Sequence, residues 1–162
     1  MDLVDKIVMQ WKAARPDVDT ATVGPIGRLT RVCKKIIAVE EATFGRLQLN
    51  MAGFDVLSAL RRAQAPHALS AGELMASMMI TSGTMTNRID QLEKAALVTR
   101  SADPVDARKT IVALTPKGLA LIDQAIVEHL ATQKSLLAGM SAEEIAQLDR
   151  LLRKLSASVG LE

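Results

Sequence analysis

The chain has 162 residues, a formal net charge of +2 and one cysteine, Cys33. A lone cysteine excludes an intramolecular disulfide and a multi-cysteine metal site, and the small charge is not enough to establish a nucleic-acid partner. No apolar run reaches the roughly 20 residues that cross a bilayer, and the N-terminus is acidic where a signal peptide would be basic. We therefore expect a cytoplasmic protein with no membrane partner.

Two helices are predicted in the first part of the chain. Apolar residues make up 49% of the sequence and aromatic residues only 2%, so the core must be mainly aliphatic, which favours helices. Residues 2–15 place apolar side chains, Trp11 among them, at helical spacing until Pro16. After the loop PDVDTATVGP, residues 26–39 carry an apolar stripe too wide for a helix that covers one core. That helix is expected to pack on two sides, with Cys33 in an apolar setting where a thiol is usually inert.

The middle of the chain predicts three short helices and a hairpin. The first of them carries apolar residues from Met51 to Leu60, and SAGE at residues 70–73 is a capping box that opens the second. In the third, within TSGTMTNRIDQLEKAALVTR, Met85, Ile89 and Leu92 lie on one face. The following LVTRSADPVDARKTIVAL has two β-prone runs around a loop with Pro and Asp, which predicts the hairpin.

Two more helices are predicted after the hairpin. Thr115 is placed as an N-cap with Pro116 at the first helical position, where a missing N–H costs nothing. SAEE at residues 141–144 is a second capping box, and the helix that follows carries a leucine-rich stripe. The complete pattern predicts a mainly α protein with one small β element.

Two short helices followed at once by a charged hairpin are typical of a winged helix-turn-helix. In that arrangement the second helix enters the major groove of DNA and the hairpin lies along the adjacent backbone or minor groove. With Met85 inward, the 100° helical step turns small and polar groups outward, together with Asp90 and Lys94. The candidate DNA contacts are Ser82, Thr84, Thr86 and Asn87 on the helix, and Arg108 and Lys109 at the hairpin tip.

Arg88 does not belong to this outward group. It lies about 60° from the Met85 direction on the helical wheel, at the edge of the buried stripe. A guanidinium there needs a partner, and a carboxylate, a backbone carbonyl, a phosphate or a bound anion would each serve.

The segment DPVDARKTIVALTPKG resembles the wing signature of the MarR family of bacterial transcription regulators. The matching residues are Asp106, Arg108, Leu114, Thr115 and Gly118, and SGTMTNRIDQLEKAALVTR is similar to the recognition helix of that family. The resemblance covers roughly residues 25–160. It implies an intertwined helical homodimer that meets double-stranded, pseudo-palindromic operator DNA with two recognition helices and two wings. The implied domains are an N-terminal extension with the first dimerisation helix (1–48), the winged helix-turn-helix (49–114) and C-terminal dimerisation helices (115–162).

A narrower resemblance is to the urate-responsive members of that family. They carry a Trp on an extra N-terminal helix, an Asp before the reading head, and arginines on the recognition helix and at the start of the wing. Trp11, Asp55, Arg88 and Arg100 fill these positions here. The resemblance implies a small anionic effector, urate first, that repels Asp55 and moves the recognition helix through Arg88. Each residue also has a plain structural interpretation: Trp11 as core, Asp55 with Arg88 as a salt bridge, and Arg100 as a phosphate contact.

The function expected is a DNA-binding transcription regulator, a repressor whose operator affinity falls when the anion binds. The alternatives are a related regulator that answers to another phenolic or carboxylate ligand, and a winged-helix protein-interaction module without DNA binding. No nucleophile and base stand at a recognisable spacing, so an enzyme is not expected. No cofactor or metal is expected either, since His67 and His129 are isolated in the sequence.

Overall fold

The computed structural model describes residues 1–78, 82–106 and 108–161, with only the backbone described for Ser82. The chain forms two compact units, residues 1–42 (unit 1) and 43–162 (unit 2). The elements run in this order: α1 (Leu3–Ala14), α2 (Val23–Arg46), α3 (Met51–Arg62), β1 (Ala68–Ser70), α4 (Ala71–Met78), α5 (Ser82–Lys94), β2 (Val98–Ala102), β3 (Thr110–Leu114), α6 (Pro116–Leu136) and α7 (Ala142–Ser158). The mainly α fold with a small β wing is thereby confirmed.

Unit 1 consists of α1 and most of α2, which are joined by charge and by close packing. Asp2 and Asp5 form a capping box at the start of α1. The Arg28 guanidinium of α2 pairs with both carboxylates, at 2.9 Å from Nε to Asp2 Oδ2. The Asp5 backbone N–H, followed by Arg28, holds the pKa of Asp2 below its ordinary value. A Cβ on Gly27 would lie 3.3 Å from Val4 Cγ1, so glycine allows the two helices to approach closely.

Helix α2 begins earlier than the sequence pattern indicates. The loop was expected to reach Pro25, but the helix starts at Val23 and has Pro25 in its first turn. Proline is tolerated there because the first N–H groups of a helix have no intrahelical partner. The physical reason for the difference is therefore that proline can sit inside a helix start as well as before it.

Several large apolar side chains of unit 1 are exposed to solvent. Trp11 is 51% exposed, and Ile26, Val32 and Ile37 are each exposed by half or more. Cys33 is also exposed, which corrects the expected apolar setting of its thiol. Because α1 meets the first turns of α2, around Gly24 to Arg28, it leaves the thiol of Cys33 uncovered.

Unit 2 is built around α3, whose side chains from Val56 to Leu60 are buried. Helices α4, α5 and α6 pack against it. The rings of Phe44 and Phe54 stack with centroids 4.4 Å apart at one end of this core. The largest fully buried side chains are Phe44, Leu57, Leu60, Leu74, Met85 and Ile122. The aliphatic core expected from the composition is thus confirmed, with one aromatic pair inside it.

The β element is an antiparallel sheet of three strands in the order β1-β3-β2. The hairpin of β2 and β3 is confirmed, and Arg100 of β2 faces Val112 of β3 in the register. The third strand was missed, because β1 has only three residues and its pairing with β3 is remote in sequence. The predicted capping box next to it is present: Ser70 N donates to Glu73 Oε2 at 2.7 Å, and Glu73 N donates to Ser70 Oγ at 3.2 Å.

The last two helices begin at the predicted caps. Thr115 caps α6 by accepting from Gly118 N, and Ser141 with Glu144 forms the capping box of α7. The leucine-rich stripe of α7 is uncovered, with Leu151 58% and Leu152 41% exposed. None of the helices in the described part of the chain is long and apolar enough to span a bilayer.

Candidate functional site

Helix α5 presents two chemically different faces. Met85, Ile89 and Leu92 are 1%, 3% and 5% exposed, so the predicted inward face is confirmed. Thr84, Thr86 and Asn87 lie exposed on the other side, while the side chain of Ser82 falls outside the described residues. Burial of the apolar face holds the helix against the core and turns the short polar side chains of its N-terminal half outward.

Asp90 departs from the predicted outward group. Its carboxylate pairs with Arg100 of β2, whose Nε also lies 3.6 Å from Glu93 Oε2. Arg100 is 28% exposed, which makes it more sheltered than either carboxylate, each at 43%. Helical phase alone gave no indication of this contact, because the partner lies on the next strand.

The corner between α5 and β2 is held by the start of α6. Ala96 has a positive φ of 57°, which is uncommon for a residue with a Cβ. Thr115 Oγ1 donates to Ala96 O at 2.8 Å, and Lys117 Nζ donates to Ala95 O at 2.9 Å. The N-cap and the first turn of α6 therefore satisfy two carbonyls of the turn that follows α5 and fix that turn.

Gly118 makes the closest approach at this corner. A Cβ at this position would lie 1.9 Å from the carbonyl oxygen of Leu97 and 2.9 Å from its carbonyl carbon, so no larger residue fits unless the backbone moves. This contact gives a physical reason for the glycine in the wing signature.

The wing, residues 103–109 between β2 and β3, is shaped by its two acidic residues. Asp103 Oδ1 accepts from Val105 N at 2.7 Å and from Asp106 N at 3.1 Å. These N–H groups hold the pKa of Asp103 below its ordinary value, so the carboxylate stays ionised at neutral pH. Asp106 Oδ1 accepts from Arg108 N at 3.2 Å and from its Nε at 3.1 Å. The two acidic side chains thus order the described part of the loop.

The cations of the wing are available to a partner. The Arg108 side chain is 91% exposed despite its contact with Asp106, and Lys109 is exposed beside it. Both line an open cavity of about 280 Å³ that they share with Thr110 and with residues 70–72 at the start of α4. Positive side chains and a helix N-terminus lie at the same cavity, an arrangement that attracts phosphate oxygens.

The four candidate ligand residues are not gathered in one described cavity. Asp55 is exposed on α3 and lines an open cavity of about 270 Å³ together with Phe54, Ser58, Arg62, Ser77 and Met78. Arg88 lines another cavity, of about 110 Å³, next to Gln48, Asn50 and Gln91. Arg100 is engaged with Asp90 and Glu93, and Trp11 belongs to unit 1.

Arg88 is half-buried, as its helical phase predicted. Among the residues that the structure describes, none forms an ion pair with its guanidinium. A half-buried cation in this position favours an anionic or carbonyl partner. That Arg88 meets such a partner remains a prediction.

The sequence patterns did not point to several residues that the structure places at these sites. Arg62 shares the cavity of Asp55 and stands seven residues after it, two helical turns further on the same face. Asp90 and Glu93, three residues apart, form an acidic pair on α5 that matches the single arginine of β2. Charge complementarity between the end of a helix and the next strand is the signal that would have pointed to this contact.

Comparisons with known proteins agree with this geometry. The sequence model of the MarR family matches residues 49–110, which extend from the start of α3 to the start of β3. The HTH-type transcriptional regulator PecS of Dickeya dadantii is 36% identical over 149 residues, which cover 92% of this chain and 90% of PecS. The chain belongs to the MarR family. It is thus a DNA-binding transcription regulator rather than an enzyme.

Two solved structures are similar to this chain in sequence and fold. BpsR of Bordetella bronchiseptica is 32% identical with a TM-score of 0.70, over 80% of this chain and 91% of that one, and its DNA binding is regulated by 6-hydroxynicotinic acid. A mutant MarR of E. coli in complex with operator DNA is 25% identical with a TM-score of 0.71, over 96% of this chain and 99% of that one. The winged helix-turn-helix prediction is therefore confirmed.

Proposed function

We propose that this MarR family protein is a repressor that reads a pseudo-palindromic operator in double-stranded DNA. The observation that carries the proposal is α5, which buries Met85, Ile89 and Leu92 and exposes Thr84, Thr86 and Asn87. Short polar side chains on the N-terminal half of such a helix suit base edges and phosphates in the major groove. Ser82 would join them at the helix start.

The wing supplies the second part of the DNA contact. Arg108 and Lys109 are exposed at the tip, and Asp103 and Asp106 hold the loop in shape. We assign Arg108 to the minor groove and Lys109 to the phosphate backbone, because arginine suits the negative potential of a narrow groove.

The working form would be a homodimer. The exposed apolar residues of α1, α2 and α7 are more than a stable monomer leaves uncovered, so a second copy of the chain is the proposed partner. In this arrangement residues 1–48 and 115–162 serve dimerisation and residues 49–114 read DNA. Two reading heads would then meet two half-sites.

The effector we propose is a small organic anion, with urate favoured. The exposed indole of Trp11 offers an aromatic face, and Arg88 and Arg100 offer guanidinium donors. The cavity that Asp55 shares with Arg62, about 270 Å³, provides space next to a cation on α3. The 6-hydroxynicotinic acid that regulates BpsR makes an aromatic carboxylate the second candidate.

Operator binding at increasing salt tests the proposal. The protein is titrated onto a duplex from the intergenic DNA upstream of its own gene and onto a shuffled duplex of equal length. We expect tight binding to the first alone, with an affinity that falls steeply with salt as counterions are released. Absent binding, or equal binding to both duplexes, would contradict DNA reading.

Trp11 fluorescence tests the effector. Trp11 is the only tryptophan of the chain, so a saturable change on titration with urate reports binding near α1. The same titration with 6-hydroxynicotinate separates the two candidates. If the fluorescence does not respond to urate and calorimetry detects no urate binding, urate is removed from the proposal.

Asp55→Asn tests the proposed trigger. We expect urate to bind with an affinity within about threefold of the wild type while DNA release is blunted, because the charge repulsion is gone. Asp123→Asn is the matched control, since Asp123 is also an exposed carboxylate and it pairs with Arg61 outside the cavity of Asp55. Full release of operator DNA by Asp55→Asn would reject the trigger.

A further inference from the structure

We propose that Arg100 positions the recognition helix α5 through Asp90 and Glu93, and that an anionic effector weakens DNA binding by competing with these carboxylates for the Arg100 guanidinium. The second half rests on the proposed function, because it requires an anionic effector. The first half stands on the contacts of α5 and β2 alone.

The ion pairs of Arg100 join strand β2 to the C-terminal half of the recognition helix α5. Arg100 lies opposite Val112 of the central strand β3, and Val112 is fully buried, so the arginine projects from an ordered base. Its guanidinium reaches Asp90 and, at 3.6 Å, Glu93. These two residues stand three apart on one side of α5, where both can approach one cation.

The buried apolar contacts of α5 do not fix the rotation of the helix about its own axis. Met85, Ile89 and Leu92 are buried on the inner face and hold the helix against the core. Apolar packing is not directional, so it permits small rotations of the helix about its own axis. An ion pair at one flank restrains such a rotation and so sets where Thr84, Thr86 and Asn87 point.

The same contact is open to competition. Arg100 is 28% exposed and both carboxylates are 43% exposed, so solvent anions can reach the cluster. Ion pairs at this exposure are weak, so a ligand of modest affinity is enough to displace them. A bound anion would take donors from Arg100 and repel Asp90 and Glu93, which moves α5 away from its DNA-reading position.

Operator affinity in the absence of effector tests the positioning role. Asp90→Asn removes a negative charge from the DNA-binding surface, so simple electrostatics predicts tighter binding. Positioning predicts the opposite, a loss of about threefold to tenfold. Arg100→Gln should cause a similar loss, and the double variant should be little worse than either single one. Tighter binding by Asp90→Asn, or strictly additive losses, would overturn the positioning role.

Two further variants separate positioning from general stability. The exchange Asp90→Arg with Arg100→Asp restores the pair in reverse and should recover part of the lost affinity. Arg61→Gln breaks the contact of Arg61 with Asp123, which has similar exposure and a 2.6 Å distance but lies between α3 and α6. This control should leave operator affinity within about twofold. Thermal unfolding of every variant shows whether a loss of binding merely follows a loss of fold.

The competition is tested with urate and with 6-hydroxynicotinate as probes. Asp90→Asn should bind the effective anion about threefold more tightly than the wild type does, because no carboxylate opposes it there. An unchanged affinity overturns the competition. If the wild type binds neither anion, the proposed effector and the competition both fail, while the positioning role is still judged on DNA alone.

Discussion

Gly118→Ala is expected to destabilise the protein by about 3 kcal/mol. The new methyl group would lie 1.9 Å from the carbonyl oxygen of Leu97, and backbone atoms cannot move aside as the end of a side chain can. Relief of this clash would separate the start of α6 from the α5–β2 corner. Thermal unfolding should show a fall in melting temperature of roughly 6–12 °C.

Gly45→Ala is the matched control for this substitution. A Cβ at Gly45 would meet nothing within 4 Å, and the residue lies near the end of α2. Alanine is the better helix former, so the change should be neutral or stabilising by up to about 1 kcal/mol. If both variants unfold at the wild-type temperature, the tight contact at Gly118 is wrong.

Arg108→Ala is expected to lower operator affinity about tenfold or more without changing the fold. The side chain is 91% exposed and forms an ion pair with the neighbouring Asp106, so its loss leaves no buried cavity. A guanidinium in the minor groove contributes both charge and shape recognition. Arg108→Lys should recover the charge-dependent part of the affinity and lose the rest.

The control for the wing is Arg153→Ala. Arg153 is 78% exposed on α7 and pairs with Asp149 at 2.8 Å, so it resembles Arg108 in exposure and in having an acidic partner. Fluorescence anisotropy with labelled operator should show unchanged affinity for this variant and a flatter salt slope for Arg108→Ala. If Arg108→Ala binds the operator as tightly as the wild type does, the proposed contact of the wing with DNA is wrong.

Local chemistry explains which elements were predictable. The caps Thr115 and Ser141 bond to N–H groups three residues ahead, so their function is contained in a few consecutive letters. The inward face of α5 follows from helical geometry in the same way, and the structure buries Met85, Ile89 and Leu92 accordingly.

Remote pairing explains what was missed. Strand β1 depends on register with β3, more than 40 residues later, and its three letters carry no alternation to recognise. The pairing of Asp90 with Arg100 depends on how β2 turns back along α5, which the Ala96 turn decides. Asp55 and Arg88 could each be named from the sequence, yet they line different cavities.

The sequence by itself determined the helix boundaries at the caps, the hairpin and the polar face of α5, because these follow from hydrogen bonds and periodicity within a few residues. The tertiary structure alone decided how Arg100 is used and why position 118 must be glycine. Both depend on contacts between different elements of the fold. Arg100 of β2 meets Asp90 of α5, and Gly118 of α6 lies against the backbone of Leu97. Arg88 shows the division: its half-buried position was evident from the helical wheel, whereas its place in a cavity apart from Asp55 required the packing of α3 against α5.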